Sequence, residues 1–345
     1  MWSWENVKLF LSPHDTLNPF TIPLSFETYL TMRIFVTGAS GNIGKSLTKE
    51  LLSHGHQVLA LARSDASATL LENLGADIQR GTLTDLDILK ESASQCDGVA
   101  HLAFIHDLGD YAGCCAIDRA AIDAIGSSLA AAGGNRAFVI TSGTALLKKG
   151  QVATEDQNYD ESDPFGAIRG PSESVALAFA EKGVRVSVMR LPSVYGEGSL
   201  GWVAPMLAGT EGKGVVSYVG DGENRWCATH TLDIAQAYRL ALENGQAGSV
   251  FHPVAEEGVR SRDVALALGR KLNLPVVSRT QEEALKLFGL TANAMGIDNP
   301  AASSKTREQL GWNPIHPSLL EYLDSEDCVA YTTLPSWSHA GGKDV

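Results

Sequence analysis

A glycine-rich segment, Gly38-Ala39-Ser40-Gly41-Asn42-Ile43-Gly44, has the residue types and spacing needed to hold a pyrophosphate. The first glycine permits a tight turn, the second lets the backbone approach phosphates closely, and the third lets a helix pack against the preceding strand. The segment follows the apolar run 33–37 and opens a stretch with helical spacing, so helix N-terminal N–H groups would face the phosphates. We therefore predict a dinucleotide site formed by Gly38, Ser40, Gly41, Asn42, Ile43 and Gly44.

The end of the second predicted strand indicates which dinucleotide binds. NAD sites usually place Asp or Glu there for the ribose hydroxyls, but this chain has Ala62-Arg63-Ser64. Arg63 lies 19 residues beyond Gly44, and its guanidinium can pair bidentately with a 2′-phosphate, to which Ser64 adds a hydroxyl. We therefore expect NADP(H) rather than NAD. In the alternative interpretation, Arg63 is an ordinary solvated side chain and Asp65 binds the ribose.

Short apolar runs alternate with helical patterns through the first half of the chain. The predicted strands are 33–37, 58–62, 76–79, 98–103, 137–141 and 184–190, and the predicted helices between them are 42–54, 66–74, 86–93, 116–132 and 173–182. Apolar strands that alternate with helices are typical of a parallel sheet covered on both faces. The sequence therefore predicts an α/β fold with a Rossmann-type, doubly wound parallel sheet.

The alternation weakens after Arg190, where shorter helices are mixed with isolated strands and Gly/Pro breaks. These later helices are predicted at about 231–244, 261–272 and 280–288. We interpret this part as a smaller C-terminal lobe for the substrate. The predicted divisions are an N-terminal extension 1–31, an NAD(P)-binding domain 32–190, a region 191–328 that is mainly the substrate lobe, and a flexible tail 329–345.

Composition and charge exclude several classes of protein. The chain has 40 acidic and 27 basic residues, and its net charge of −13 makes nucleic acid a poor partner. It has no run of about 18 apolar residues, so we expect no membrane span. The five cysteines include an adjacent pair and lack zinc-ligand spacing, which predicts reduced thiols, a cytoplasmic location and no metal site.

Further landmarks lie at the ends of the later strands. They are His101-Leu102-Ala103, Ser142, the segment Arg190-Leu191-Pro192-Ser193-Val194-Tyr195-Gly196 and the segment His230-Thr231-Leu232-Asp233-Ile234-Ala235. With the GxxGxxG spacing, they make the chain resemble the extended short-chain dehydrogenase/reductases, the NAD(P)-dependent epimerase/dehydratase-like proteins, over about residues 32–325.

The resemblance implies positions for several residues around the cofactor. Ala103 and the backbone at Pro192 and Val194 would lie beside it, and the loop after the fourth strand would border the substrate. Where the family often has an Asp that contacts the adenine amino group, this chain has Thr82. We expect Thr82 to accept a weaker hydrogen bond and the backbone of Leu83 to pack beside the base.

The chain departs from the family's catalytic residues. The family uses a Tyr and, four residues later, a Lys, and this chain has Phe165 and Arg169 there. Phe165 has no hydroxyl for a developing alkoxide, whereas Arg169 can still bind the nicotinamide ribose and carry positive charge. The family's Ser/Thr falls at Gly143, which is flanked by two hydroxyl residues, Ser142 and Thr144, and its helical Asn corresponds to Asp118. We therefore predict that Ser142, Asp118 and Arg169 form the catalytic site.

A different proton donor would have to replace the missing Tyr. His106 follows the fourth predicted strand and can act as an acid or base near neutral pH. Asp107 would either orient it or cap the next helix. In the alternative interpretation, His106 is a loop residue at the rim of the cleft. Other candidates are the loop residues Tyr111 and Tyr159, and His230, for which packing or hydrogen bonding is the alternative. The segment Asn224-Arg225-Trp226 would contact the cofactor's adenosine or line the cleft; in the alternative interpretation, its Trp packs within the lobe beside an exposed Arg.

Together these residues indicate an NADP(H)-dependent oxidoreductase that acts on the carbonyl/alcohol carbon of a small organic molecule. The loss of the Tyr leaves two alternatives, an NADP(H)-binding sensor without turnover and a non-redox isomerase or dehydratase. A homodimer is a further expectation, by analogy with the family, through helices 116–132 and 173–182. Its candidate contacts are Ala120, Ala121, Ala124, Ala131, Val175, Ala176 and Phe179.

Overall fold

The computed structural model describes residues 31–328, apart from residues 209, 211–213 and 290. The predicted extension 1–31, except for Thr31, and the predicted tail 329–345 lie outside the described residues. Both stay predictions.

The described residues form strands and helices that we number in chain order. The strands are β1 Arg33–Thr37, β2 Gln57–Ala62, β3 Asp77–Arg80, β4 Gly98–His101, β5 Ala137–Gly143, β6 Arg185–Leu191, β7 Ser193–Gly196, β8 Ser199–Leu200, β9 Val216–Val219, β10 Arg225–His230, β11 Ser249–Phe251, β12 Glu256–Arg260 and β13 Val276–Arg279. The helices are α1 Asn42–Ser53, α2 Asp65–Leu74, α3 Leu86–Ser94, α4 Tyr111–Ala132, α5 Pro164–Arg169, α6 Pro171–Leu177, α7 Val203–Ala208, α8 Thr231–Asn244, α9 Ser261–Leu272, α10 Gln281–Phe288, α11 Thr291–Met295, α12 Ser304–Leu310 and α13 Leu319–Asp324.

The large sheet has seven parallel strands in the order β11-β6-β5-β4-β1-β2-β3. Helices α1 and α8 cover one face, and α3, α4 and α6 cover the other. Strand β1 is apolar because both of its faces are buried. Ile34 and Val36 pack in the core on the side of α1 and α8, whereas Phe35 packs in the core on the side of α3, α4 and α6. The predicted doubly wound α/β fold is confirmed.

Two predicted elements near the cleft differ from the structure. The fourth strand ends at His101 rather than Ala103, because the Ala103 N–H turns to the Thr37 hydroxyl (3.2 Å). Helix α4 begins at Tyr111, before the predicted residue 116, because the Asp110 side chain caps it by accepting from the Gly113 N–H (3.0 Å).

The second half of the chain builds a smaller lobe but also returns to the large sheet. A four-stranded sheet, β12-β10-β7-β8, and the pair β13-β9 belong to the smaller lobe, with α7, α9 and α13 packed around them. In contrast, α8 packs on α1, and β11 pairs with β6 at the edge of the large sheet. The predicted divisions at residue 190 therefore describe only part of the layout, since 231–251 completes the large sheet.

The helix faces predicted to form a dimer are mostly used within the chain. Ala121, Ala124, Ala176 and Phe179 are buried, and Phe179 packs so close to Gly126 that a Cβ there would overlap its ring. These four side chains join α4 and α6 to the core, so they are not a free surface. Ala120 and Ala131 remain exposed, and the homodimer stays a prediction.

Two further findings concern membranes and metals. None of the helices in the described ranges combines the length and the apolar character needed to cross a bilayer. Within those same ranges, no three His, Cys, Asp or Glu side chains lie together in a way that could hold a metal ion. Cys96, Cys114, Cys115 and Cys227 are buried thiols.

Candidate active site

The sheet order places a cleft between β1 and β4. From β1 the chain continues to β2 on one side, whereas β4 leads to β5 on the other. In open parallel sheets, ligands bind outside the carboxyl ends of the strands at such a switch point. The glycine-rich segment after β1 and the loop after β4 meet here, since a Cβ on Gly38 would lie 2.7 Å from the Ala103 nitrogen.

The three glycines of the segment have different surroundings. Gly38 has φ +71°, a conformation that favours glycine. A Cβ on Gly44 would overlap the Gly38 carbonyl oxygen, so close packing of α1 requires this glycine. A Cβ on Gly41 would contact only that same oxygen, at 3.1 Å, and otherwise faces open space. The chain itself therefore requires Gly38 and Gly44, whereas its own packing gives no comparable reason for a glycine at position 41.

The N-terminus of α1 has the features of an anion site. Gly41 caps it without a side-chain hydrogen bond, and the first turn has no acidic residue. The Asn42 side-chain nitrogen is buried and has no hydrogen-bond partner. Ser40 and Ile43 flank it and are half-buried. An unpaired donor beside free helix N–H groups fits a pyrophosphate.

The far end of the cleft is basic. Arg63 follows β2, is exposed, and forms no ion pair with the described residues. Ser64 instead caps α2 by accepting from the Ser67 N–H (3.2 Å). Arg80, at the end of the neighbouring β3, donates to the Ser64 carbonyl and to the Asp65 carboxylate, the latter at 2.7 Å. Arg80 was missed by the sequence interpretation, although it directly follows the predicted third strand.

Thr82, the predicted contact for adenine, is hydrogen-bonded to neighbouring residues of its own loop. The Thr82 N–H and hydroxyl donate to the Asp85 carboxylate at 2.7 and 2.8 Å, and its oxygen accepts from the Thr84 N–H at 3.3 Å. The Thr82 hydrogen bonds lower the pKa of the Asp85 carboxyl. The neighbouring Leu83 is buried. Thr82 therefore holds a turn, and its contact with an adenine stays a prediction.

Asp118 on α4 and Arg169 on α5 form a buried ion pair beside β5. Arg169 also donates to the Thr141 carbonyl at 2.9 Å. His101 Nε2 lies 3.4 Å from the second Asp118 oxygen, and His101 Nδ1 is hydrogen-bonded to Thr37 at 2.8 Å. Burial alone raises the pKa of the Asp118 carboxyl, but His101 and Arg169 together hold it below the usual value. The structure thus brings two predicted catalytic residues together with His101, which the sequence interpretation did not select.

Ser142 does not contact this pair. Its hydroxyl donates to Glu173, which is held by Arg190 through both carboxylate oxygens, with a closest contact of 2.6 Å. Neighbouring residues of a strand point to opposite faces: the Thr141 hydroxyl is hydrogen-bonded to Tyr238 on α8, and Ser142 faces α6. The catalytic role of Ser142 stays a prediction.

Aromatic side chains line the cleft beside Arg169. Phe165 is 54% exposed, and its ring lies 5.4 Å from that of Tyr111, which lies 6.0 Å from Phe104. The His106 ring lies 5.1 Å from Phe104 and has no hydrogen bond to the described residues. Surrounding protein atoms and then the Arg169 charge lower the pKa of His106. Burial, together with the Cys115 thiol, raises the pKa of Tyr111 to about 12.

The part of the chain that forms most of this site matches the model of a known family. The model of the NAD dependent epimerase/dehydratase family covers residues 34–253. The chain belongs to the NAD dependent epimerase/dehydratase family. The predicted resemblance is confirmed, and with it the interpretation of the chain as an enzyme of this family.

Individual relatives show how far the similarity extends. An uncharacterized protein of Saccharomyces cerevisiae is 42% identical over 84% of this chain and 97% of the relative. The sterol-4-alpha-carboxylate 3-dehydrogenase (decarboxylating) of Dictyostelium discoideum is 29% identical over 66% of this chain and 73% of the relative. The solved structure of MoeE5 in complex with UDP-glucose and NAD has a TM-score of 0.67 and 22% identity over 86% of this chain and 97% of that one. This last similarity shows the shared fold.

Other candidate residues of this epimerase/dehydratase-family enzyme hold the fold together. Tyr159 lies 3.5 Å from Ser174 on α6, and His230 caps α8 by accepting from the Leu232 N–H at 3.3 Å. Pro192 is buried, and Val194 packs in the same cluster as the glycine-rich segment. The structural alternatives therefore describe Tyr159 and His230 well.

The segment Asn224-Arg225-Trp226 is also structural. Asn224 donates to the carbonyls of Met295 and Ile297 at 2.9 and 3.0 Å, and Arg225 pairs with Asp298 at 2.9 Å. Trp226 stacks on Trp202 at 6.1 Å. These contacts join separate parts of the smaller lobe.

Proposed function

We propose that this enzyme is an NADP(H)-dependent oxidoreductase that interconverts a carbonyl group and an alcohol on a small organic substrate. The observation that carries the proposal is the free Arg63 guanidinium at the end of β2. Since β1 and β2 pair in parallel, Arg63 follows β2 at the same edge of the sheet as the anion site at α1, which fits the pyrophosphate of the same cofactor. The relative from Dictyostelium discoideum is a dehydrogenase, which supports redox chemistry over epimerisation.

The contacts of Arg80 support NADP(H) over NAD. A carboxylate at this end of the cleft would accept hydrogen bonds from the ribose hydroxyls of NAD. Asp65 is the carboxylate that follows β2, and Arg80 already holds it at 2.7 Å. Arg80 and Asp65 neutralise each other, so the positive charge of Arg63 remains without a counterion there. This charge favours a 2′-phosphate.

Two further roles, charge stabilisation and proton donation, are assigned to residues beside the Asp118–Arg169 pair. The glycine-rich segment and Arg63 would hold NADPH, which would supply the hydride that, together with a proton from the protein, turns the carbonyl group into an alcohol and leaves NADP⁺. Arg169, fixed by Asp118, places positive charge near the ribose and the developing oxyanion. His106 is the proposed proton donor, because it is exposed on the substrate side and free of other hydrogen bonds. Tyr111 is the second candidate for this role.

Cofactor choice is tested by calorimetric titration with NADPH and NADH. The pairing of a guanidinium with a phosphate contributes about 1.5–3 kcal/mol, so we expect NADPH to bind about ten- to a hundredfold more tightly. Arg63→Ala should remove most of this preference. Arg270→Ala, which breaks an exposed ion pair with Asp324 in the smaller lobe, is the matched control and should keep it. Equal affinities in the unaltered protein would contradict the assignment.

A sensor without turnover is the second candidate function. It is favoured by one observation, the absence of a hydroxyl at both Phe165 and Gly143. A panel of carbonyl and alcohol substrates, followed by nicotinamide absorbance, separates the two. Tight NADPH binding with no oxidation by any carbonyl compound would favour the sensor.

A further inference from the structure

Three aromatic side chains from separate elements form one cluster at the mouth of the site. Phe104 follows β4, Tyr111 opens α4 and Phe165 opens α5. We call these three residues the aromatic cluster. Their rings meet edge to face, with interplanar angles of 64° and 71°, the arrangement that aromatic quadrupoles favour.

The cluster is held rigidly against the catalytic ion pair. The Arg169 guanidinium lies over the Phe104 ring, 4.5 Å from its centroid, and is itself fixed by Asp118. Phe165 is fixed through its backbone, since the Asp163 carboxylate accepts from the N–H groups of Phe165 and Gly166 at 2.9 and 3.1 Å. A surface that is ordered before binding loses little conformational entropy when a ligand arrives.

The outer ring of the cluster is left uncovered. Phe165 is 54% exposed, and Ile105, next to Phe104 in the chain, is 39% exposed. The loop that carries Phe104 and Ile105 starts at Ala103, which lies against Gly38 of the glycine-rich segment. The loop therefore leads from the proposed cofactor site to the aromatic cluster.

The exposed side chains of this surface are apolar. Phe165 and Ile105 both leave a large part of their side chains uncovered. Covering them with an apolar group removes apolar area from water, whereas neither side chain offers a hydrogen bond or a charge to a phosphate. The surface thus favours an uncharged substrate.

We propose that the aromatic cluster binds the ring of an uncharged aryl ketone or aldehyde, with its carbonyl group directed toward Arg169 and His106. The inference rests on the proposed function for the chemistry, but the ring-binding step can be measured without turnover. The ring of the substrate would continue the edge-to-face series beyond Phe165 and cover the exposed apolar surface.

The test is calorimetric titration of the full chain loaded with NADP⁺, which cannot pass a hydride to a ketone. The probes are acetophenone, cyclohexyl methyl ketone and UDP-glucose. We expect acetophenone to bind about tenfold more tightly than the cyclohexyl compound, and UDP-glucose to bind most weakly. Phe165→Leu keeps an apolar side chain but removes the ring, so it should abolish the preference for the aryl compound. Leu266→Ala, at an exposed apolar residue on α9, should leave it unchanged.

Each result separates this inference from the proposed function. Equal binding of the two ketones, tighter binding of UDP-glucose, or a preference that survives Phe165→Leu would overturn the aryl assignment, whatever the activity. A Phe165-dependent preference together with no NADPH oxidation would uphold the aryl site and overturn the reductase. Circular dichroism of each variant shows that the fold is retained.

Discussion

Gly41 and Gly44 belong to the same segment, yet their substitution should have different effects. Gly41→Val adds a branched side chain where the structure has open space and the pyrophosphate is proposed to lie. We expect a folded protein whose NADPH affinity falls below detection by calorimetry. Gly44→Ala should destabilise the fold, because its Cβ would overlap the Gly38 carbonyl.

Thermal unfolding followed by circular dichroism distinguishes the two glycine variants. Normal NADPH binding by folded Gly41→Val would mean that the segment is only a turn. A fully stable Gly44→Ala would show that α1 can move away from the segment at little cost.

His106 should set the pH dependence of turnover. A proton donor works only when protonated, and the pKa of His106 is lowered from its usual 6.5. The reductive rate should therefore fall as pH rises through a range below 6.5. His106→Ala should lose about 10²-fold or more in kcat, with NADPH affinity unchanged.

Two variants control the His106 experiment. His54→Ala, at an exposed histidine at the end of α1, should leave both kcat and its pH profile unchanged. If His106→Ala is fully active and Tyr111→Phe loses turnover instead, the proton comes from Tyr111.

At the scale of elements, one buried ion pair joins β5, β6 and α6. Glu173 on α6 accepts from Arg190 on β6 and from Ser142 on β5, and both charged side chains are 3% exposed. Glu173→Gln leaves the Arg190 charge buried without its counterion, so we expect a loss of about 3 kcal/mol in the free energy of unfolding. Asp156→Asn, in an exposed pair with Lys305, should cost about 1 kcal/mol or less in the same urea titration. Equal losses would mean that burial does not strengthen the Glu173 pair.

The sequence predicts those parts of the site that are formed by consecutive residues. It predicts poorly those contacts that arise only when strands distant in the sequence pair with each other. The glycine-rich segment is read from seven consecutive residues, and its place between a strand and a helix is confirmed. The contact of Ser142 with Glu173 on α6 joins residues far apart in the sequence, so their spacing does not reveal it. The contacts of Arg80 with Ser64 and Asp65 exist only because β3 pairs with β2. Such pairing depends on the whole sheet and is not visible in a short window of sequence.

At the scale of the whole molecule, the same reasoning explains the predicted boundary at residue 190. The alternation of strands and helices stops there, which indicates a new lobe. Helix α8 and β11 nevertheless complete the large sheet, because α1 presents an apolar face that the first half of the chain leaves uncovered. Tyr238 and Ala241 on α8 fill that face with Leu47 and Leu51.

The return of α8 and β11 also limits how this protein can be recombined. The half of the molecule proposed to bind the cofactor is not one continuous stretch of sequence. Helix α8, which covers one face of the large sheet, and the edge strand β11 both come after the first part of the smaller lobe. Exchanging residues 191–328 for the matching region of a relative would replace α8 and β11 as well, and so part of the sheet's own core. New substrate ranges are therefore more readily reached by altering short inserts, such as the loops after β4 and before α5, than by swapping a whole lobe.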